Sequence, residues 1–453
     1  MLRDKFSAFF SFTILLLNLC GLQARAQQVP IGLRAQAGQV RDYRRTAMGM
    51  LDAVSKDVQK YYYDPKFHGV DWRAVVRDTK AKIKTSDSIN TAMAYIAQAL
   101  QSLHDSHTFF LPPPRPLFWD YGFRMEMIGD RCYVSRVRPG SDAEAQGLTP
   151  GDEVKALEGF QPNRDILGKV EYRYDNFQPL SSLRLALRDP QGRDRQVDVK
   201  AKWKYFKHIH DATSTNILDL IGEAQNEAHP VERPRWMDLG DDVGILKLPI
   251  FAFGQSLVDD LMGKAREHRA FILDLRGNLG GTVDSLKCLV GGMFDKDVKI
   301  GDRVGRKESQ LEEAKSRFLG AYGGKLVVLV DSRSASAAEI FARLVQLEKR
   351  GVVIGDRSSG SVMEAKRHLC ELRTDTKSNF IIFGAEITEA DLIMADGKSL
   401  EHVGVAPDEV VLPTAADLAA VRDPVLARAA ALVGAKLPPE QAGKMFPYEW
   451  PQE

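Results

Sequence analysis

Two strand-to-turn stretches carry residue types that can make and break an acyl bond. The first, residues 325–348 (KLVVLVDSRSASAAEIFARLVQLE), opens on an apolar run at 326–330, short and rich in β-branched residues like a buried strand. It closes on Ile340, Phe341, Leu344, Val345 and Leu347, which recur at helical spacing. Between them sit Ser334, Ala335, Ser336, Ala337 and Ala338. A serine hydroxyl at such a turn faces outward, beside helix N–H groups that lack intrahelical partners and carry partial positive charge. That setting suits a nucleophile, and it equally suits a serine that only N-caps the helix. The second stretch, residues 271–281 (FILDLRGNLGG), is another buried strand running into a glycine-rich turn. Glycines there let the backbone approach a ligand and aim N–H groups at it.

Around these stretches the chain changes pattern three times. Over residues 40–60 the apolar positions Tyr43, Ala47, Met50, Leu51, Val54 and Val58 predict a helix. Asp71 reads as the N-cap of a second helix, and residues 89–103 as a third. The third leads into a polar tip, Leu103-His104-Asp105-Ser106-His107-Thr108. Pro112, Pro113, Pro114 and Pro116 mark a boundary, after which short strands and turns extend to Lys202. Within them, Ser141 and Glu144 read as a capping box, Gly147 as a helix stop, and 153–157 as a strand. Residues 203–240 read as a connector with a helix near 216–226. From 242 onward strands and helices alternate, which predicts a mostly parallel sheet. Residues 380–387 and 392–394 read as a hairpin-rich edge, 401–413 as the last part of the sheet, and 417–434 as one amphipathic helix. The expected fold class is multidomain α/β. Its parts are an N-terminal helical domain (27–113), a β-rich domain (114–203), an α/β core (204–415) and a helical tail (416–453).

Bulk composition narrows the function classes. A chain of 453 residues exceeds what one hydrophobic core supports. A net charge of +1, with 27% charged residues, leaves no basic excess to neutralise phosphates, so a nucleic-acid partner is not expected. Residues 1–26 have the layout of a secretory signal: Arg3 and Lys5, an apolar core over 6–19, then Ala24-Arg25-Ala26 as a cleavage site. The mature chain is then periplasmic or extracellular, with no later segment apolar enough to span a membrane. Cys132, Cys288 and Cys370 remain after such cleavage, odd in number and widely separated, so no disulfide framework is expected. No Cys/His spacing points to a metal site, and no cofactor is expected.

Taken together, ILDLRGNLGG and VVLVDSRSASAAEIFA resemble the carboxyl-terminal processing (tail-specific) serine peptidases and the related tricorn core. The resemblance implies a nucleophile three residues before Glu339, which is Ser336, and leaves Ser334 a structural role. It implies an oxyanion hole from the N–H of Ala337 and an N–H of Gly280 or Gly281. Many members pair the serine with a lysine, but the register of that lysine falls on Ser361 here, and Lys366 fits only if the register slips. The tricorn-like branch instead uses a Ser-His pair from the helical region and a glutamate near a final Gly-Val-x-Pro-Asp turn. Ser106, His107 and Glu401 match that pattern, with Gly404-Val405-Ala406-Pro407-Asp408 following. His107 would be the base, and His104 is its nearest rival. A site without activity stays open at this point. Residues 138–157 resemble a PDZ domain, which implies that Tyr121, Gly122 and Phe123 receive the carboxylate of a protein or peptide C-terminus. The function implied is an exported serine endopeptidase with protein or peptide partners. The alternative is an inactive binding protein of the same fold that holds peptide tails or apolar ligands.

Overall fold

The apolar run at 326–330 forms the middle of a six-stranded sheet. In spatial order the strands are Glu409–Val410, Val352–Gly355, Lys325–Val330, Ala270–Asp274, Val243–Lys247 and Arg235–Leu239. All neighbours are parallel except the last pair, which is antiparallel at the sheet's edge. Alternation of side chains divides each strand between two cores. Phe271, Leu273, Val328 and Val330 face the helices Gln255–Arg266, Val283–Met293 and Ala337–Leu347. Ile272, Val327 and Leu329 face the helix Pro424–Leu432. With both faces covered, the central strands are apolar along most of their length, over 243–246, 270–273 and 326–330. The computed structural model describes residues 37–115, 117–205, 233–240, 242–373 and 380–450. The expected leader at 1–26 and the helix near 216–226 lie outside the described residues.

The three predicted N-terminal helices are Ala37–Tyr61, Trp72–Thr85 and Ile89–Gln101. Asp71 caps the second by accepting from the N–H of Ala74 at 3.0 Å. The polar tip after the third helix runs into a strand, Phe109–Leu111, which pairs antiparallel with residues 384–386. That pairing ties the helical region to the far end of the chain.

Three expectations need correction. The segment read as a hairpin-rich edge is a single strand, Phe380–Met394, in a second sheet. It pairs with Phe109–Leu111, Val298–Gly305 and Met363–Arg373. Its two halves serve different cores: Ala385 and Ile387 pack with the N-terminal helices, and Leu392 and Met394 with the α/β core. The polar pair Thr388-Glu389 between them is therefore a change of core. The tail is also not one helix: it breaks into Ala415–Ala419, Pro424–Leu432 and Pro439–Ala442. Pro424 lacks an N–H and opens the second piece, capped by Asp423, which accepts from the N–H of Leu426 at 2.9 Å. Finally, Glu144 accepts from the N–H of Gly140 at 2.7 Å, one residue ahead of the Ser141 N–H that a capping box would use.

The β-rich module is an antiparallel sheet in the order Phe123–Ile128, Arg131–Val137, Glu153–Leu157, Ser182–Arg188, Asp194–Lys200. Phe123–Ile128 is an edge strand. The helix Leu167–Asn176 packs on this sheet through Leu167 and Val170.

Candidate active site

The strand Lys325–Val330 stops at Asp331, and the helix Ala337–Leu347 starts six residues later. Ser334 holds the turn's shape: its hydroxyl donates to the carbonyl of Leu275 at 2.9 Å and accepts from the N–H of Asp331 at 3.0 Å. Ser336 sits at the helix N-cap with φ 55° and ψ −120°. A non-glycine residue there carries strain of about 1–3 kcal/mol, which surrounding bonds must offset. They do so through Glu339, a buried carboxylate one helical turn on. It accepts from the N–H of Ser336 at 3.1 Å, the N–H groups of Gly360 and Ser361 at 2.7 and 2.9 Å, and the hydroxyl of Ser358 at 2.5 Å. The carbonyl of Ser361 accepts from the N–H of Ser336 as well, at 2.9 Å. Burial pushes the Glu339 carboxyl up to about 7, with those four donors pulling it back down.

Ser106, His107 and Glu401 meet although 295 residues separate Ser106 from Glu401. Glu401 accepts from the N–H of Ser106 at 2.7 Å, the hydroxyl of Ser106 at 2.9 Å and the N–H of Val362 at 2.9 Å. The Ser106 hydroxyl also lies 2.7 Å from His107 Nδ1. Once that hydroxyl has donated to Glu401, it accepts from Nδ1–H, and Nε2 is left with its lone pair. An ionised Glu401 thus fixes the tautomer that a general base needs. Burial lowers the His107 imidazole to about 4, opposed by the nearby Asp105 carboxylate. Burial raises Glu401 to about 8, Asp105 adding to it and the bonds from Val362 and Ser106 opposing. Asp105 shapes the loop: its Oδ1 accepts from the N–H groups of His107 and Thr108 at 2.9 and 2.7 Å, and from the Thr388 hydroxyl at 2.7 Å.

One short segment joins the two groups of residues. Gly360 and Ser361 bond to Glu339 beneath Ser336, and the next N–H, on Val362, bonds to Glu401. Ser361, where a family lysine would stand, is buried, and its backbone is part of this link. Lys366 is well away in role: it lies on Met363–Arg373, its side chain is mostly exposed, and it pairs with Glu389 at 3.0 Å. His104 is exposed, and its carbonyl accepts from His402 Nε2 at 2.9 Å.

The glycine-rich turn abuts Ser336. A Cβ added to Gly280 would lie 2.5 Å from Ser336 Cβ and 3.1 Å from Ala337 N, so only glycine fits, and its φ of 95° demands the same. The N–H of Gly280 is bonded to Asn278 Oδ1 at 2.8 Å, which withdraws it from the expected oxyanion pair. Ala337 and Gly281 have no partner for their N–H groups among the described residues, so these two remain as candidate donors.

Tyr121, Gly122 and Phe123 stand apart from this cluster. The Gly122 N–H donates to Asp120 Oδ1 at 2.9 Å, and Asp120 is ion-paired with Arg138. Tyr121 and Phe123 line a cavity of about 1230 Å³ between the β-rich module and the α/β core. Ser336, His107 and Glu401 are not among its walls, but Leu279, Val330 and Asp331 are, so it reaches residues that flank the candidate nucleophile. Sequence reasoning used Glu339 only as a position marker and passed over Asp105. A glutamate amid Ala338, Ile340 and Phe341 on a buried helix was the available signal.

Residues 242–411 match the family described as Peptidase family S41, and residues 43–85 match the Tricorn protease C1 domain. The first match contains Gly280, Gly281, Ser336 and Glu401, and neither contains His107. A tail-specific protease of Haemophilus influenzae is 24% identical over 278 residues, which is 56% of this chain and 36% of that protein. A carboxyl-terminal-processing protease of Picosynechococcus is 23% identical over 370 residues, 78% of this chain and 80% of that one. The chain therefore spans well under half of the Haemophilus relative. The crystal structure of mature CPAF shares the fold, with a TM-score of 0.61 at 15% identity over 83% of this chain and 94% of that one.

Proposed function

We propose that this chain, a serine peptidase by its S41 catalytic domain, cleaves peptide bonds through an acyl-enzyme on Ser336 with His107 as base. In the first step Ser336 Oγ bonds to the scissile carbonyl carbon and its proton passes to His107 Nε2. The N–H groups of Ala337 and Gly281 take the oxyanion, a contribution on the order of several kcal/mol. Ser106 and Glu401 stabilise the imidazolium that forms. His107 then returns the proton to the leaving amine as the C–N bond breaks, and a water repeats the sequence to release the acyl group. The single observation that carries this reading is the Ser106–His107–Glu401 relay, linked to Ser336 through residues 360–362.

The same proposal gives residues 114–203 the role of a PDZ domain that captures C-terminal tails of exported proteins. Its support is the edge strand Phe123–Ile128, which lines the cavity beside the helix Leu167–Asn176. A terminal carboxylate at Gly122 would displace Asp120 from its N–H. Export rests on the signal-like residues 1–26, and among the described residues no helix is long and apolar enough to cross a membrane. Flexible segments are the expected substrates, since an extended strand must enter the cavity.

The test is labelling with a serine-directed fluorophosphonate beside Ser336→Ala, His107→Ala and Lys366→Ala. Labelling lost in the first two and kept in the third is the expected result. Dependence on Lys366 would restore the lysine mechanism, and a parent that never labels or turns over would favour the inactive binding protein.

A further inference from the structure

The segment Phe446-Pro447-Tyr448-Glu449-Trp450 crosses from the α/β core to the β-rich module, and its aromatic residues line the cavity between them. Its burial alternates: Phe446, Tyr448 and Trp450 are half-buried, while Pro447 and Glu449 are exposed. That period of two is the pattern of an extended strand with one face docked. Each aromatic ring meets a guanidinium. Arg235, on the edge strand of the large sheet, lies 5.5 Å from the Phe446 ring and donates to the carbonyl of Pro447 at 2.7 Å. Arg136 stands 5.1 Å from the Tyr448 ring, and Arg124 Nε donates to its hydroxyl at 3.1 Å. Arg138 stands 4.7 Å from the Trp450 ring. Arg124 and Arg136 are cross-strand partners and Arg138 is two residues on, so the three share one face of the module. Arg138 is also the residue that holds Asp120 against the Gly122 N–H.

An arginine face read by alternate aromatic rings is a recognition surface, since both residue types dominate binding energy at protein interfaces. Among the described residues the seated segment makes no strand pairing with the module, and it meets Arg124, Arg136 and Arg138 through its side chains. We infer that this arginine face is a binding site for extended protein segments carrying aromatic residues at alternate positions, and that Phe446–Trp450 is its resident occupant, competing in cis. An incoming segment gains the site by displacing the resident one. The binding does not rest on the peptidase reading.

The experiment uses the full chain carrying Ser336→Ala, so that no probe is consumed. The probe is a fluorescent peptide of sequence KMFPYEW, followed by anisotropy, against this parent and against Tyr448→Ala/Trp450→Ala in the same background. Because a tethered competitor acts at an effective concentration near the millimolar range, the double variant should bind the probe about tenfold or more tightly. Adding Arg136→Ala, an exposed position whose loss spares the fold, should remove that gain. Equal affinity for parent and double variant overturns the inference, as does a gain indifferent to Arg136→Ala. A lowered unfolding midpoint without any gain in affinity also overturns it, because the segment would then be a structural clamp alone. Absence of fluorophosphonate labelling in the wild-type chain would strike the peptidase reading and leave these binding outcomes standing.

Discussion

The acid–base cluster and the interdomain cavity solve opposite problems. In the cluster, the two central carboxylates are held from within the chain: four donors converge on Glu339 and three hydrogen bonds on Glu401. Nothing there waits for a ligand to be ordered, so charge developing in a transition state meets dipoles already in place. The cavity is the reverse. It is roomy and walled by two domains, and few hydrogen bonds cross between those domains. The Ser332 hydroxyl donates to Met127 O at 2.6 Å, while Gly129 N–H and Arg164 both donate to Asp356, at 2.8 and 2.7 Å. On the proposed reading, chemistry is built into the fold and recognition is left adjustable.

The sharpest way to break this comparison is Glu401→Gln. Losing the charge that orients Ser106 releases His107 to the wrong tautomer, and kcat/KM should fall by about 10²–10⁴-fold, the usual worth of a positioned base. Peptide binding at the cavity should not change. The pH profile supplies the sign. The proposed mechanism needs His107 unprotonated and Glu401 ionised, so it expects kcat/KM to rise with pH through the higher of the two, near 8. Below that midpoint Glu401 takes a proton and the relay reverses. A parent profile whose rising limb sits near 4 would show that Glu401 does not gate the base.

Gly280→Ala tests the cluster by geometry, with charge untouched. A Cβ 2.5 Å from Ser336 Cβ forces the turn of the proposed nucleophile aside, on backbone at φ 95° that alanine resists. A displacement near 1 Å lowers kcat about 10²-fold, with about 1–3 kcal/mol lost in stability by denaturant titration. Unchanged kcat would mean that the turn yields freely, against the rigidity claimed for it.

Legibility in the sequence divided along the same line. The strand–turn–helix units at 271–281 and 325–347 are local, and an apolar run beside a helical period is enough to read them. The strand Phe380–Met394 was not legible as one element, because its pairing with Phe109–Leu111 is set by closure of the whole chain and its polar middle serves Thr108 and Asp105. Ser106, His107 and Glu401 come into view only through a family resemblance; no spacing rule joins residues 295 apart. Gly280's N–H could not be excluded from the oxyanion pair before the Asn278 side chain was seen to occupy it. The arginine face was equally hidden, since Arg124, Arg136 and Arg138 acquire meaning only when residues 446–450 return across them.

The smallest expected effect is the most informative about how the two regions communicate. Ser332 stands in the turn that leads to Ser336, and its hydroxyl bonds the carbonyl of Met127 on the module's edge strand. Ser332→Ala removes one hydrogen bond of about 1 kcal/mol and leaves the relay and Glu339 untouched. If the module only tethers substrate, KM for a flexible protein substrate should rise up to about fivefold, the equivalent of that energy, with kcat unchanged. Hydrolysis of a small activated ester, which never touches the module, should not change. A fall in kcat for both substrates would mean that the seat of the β-rich module sets the position of Ser336 itself. The separation between built chemistry and adjustable recognition would then fail at this one bond, and occupancy of the cavity would act on the nucleophile through Met127 and Ser332.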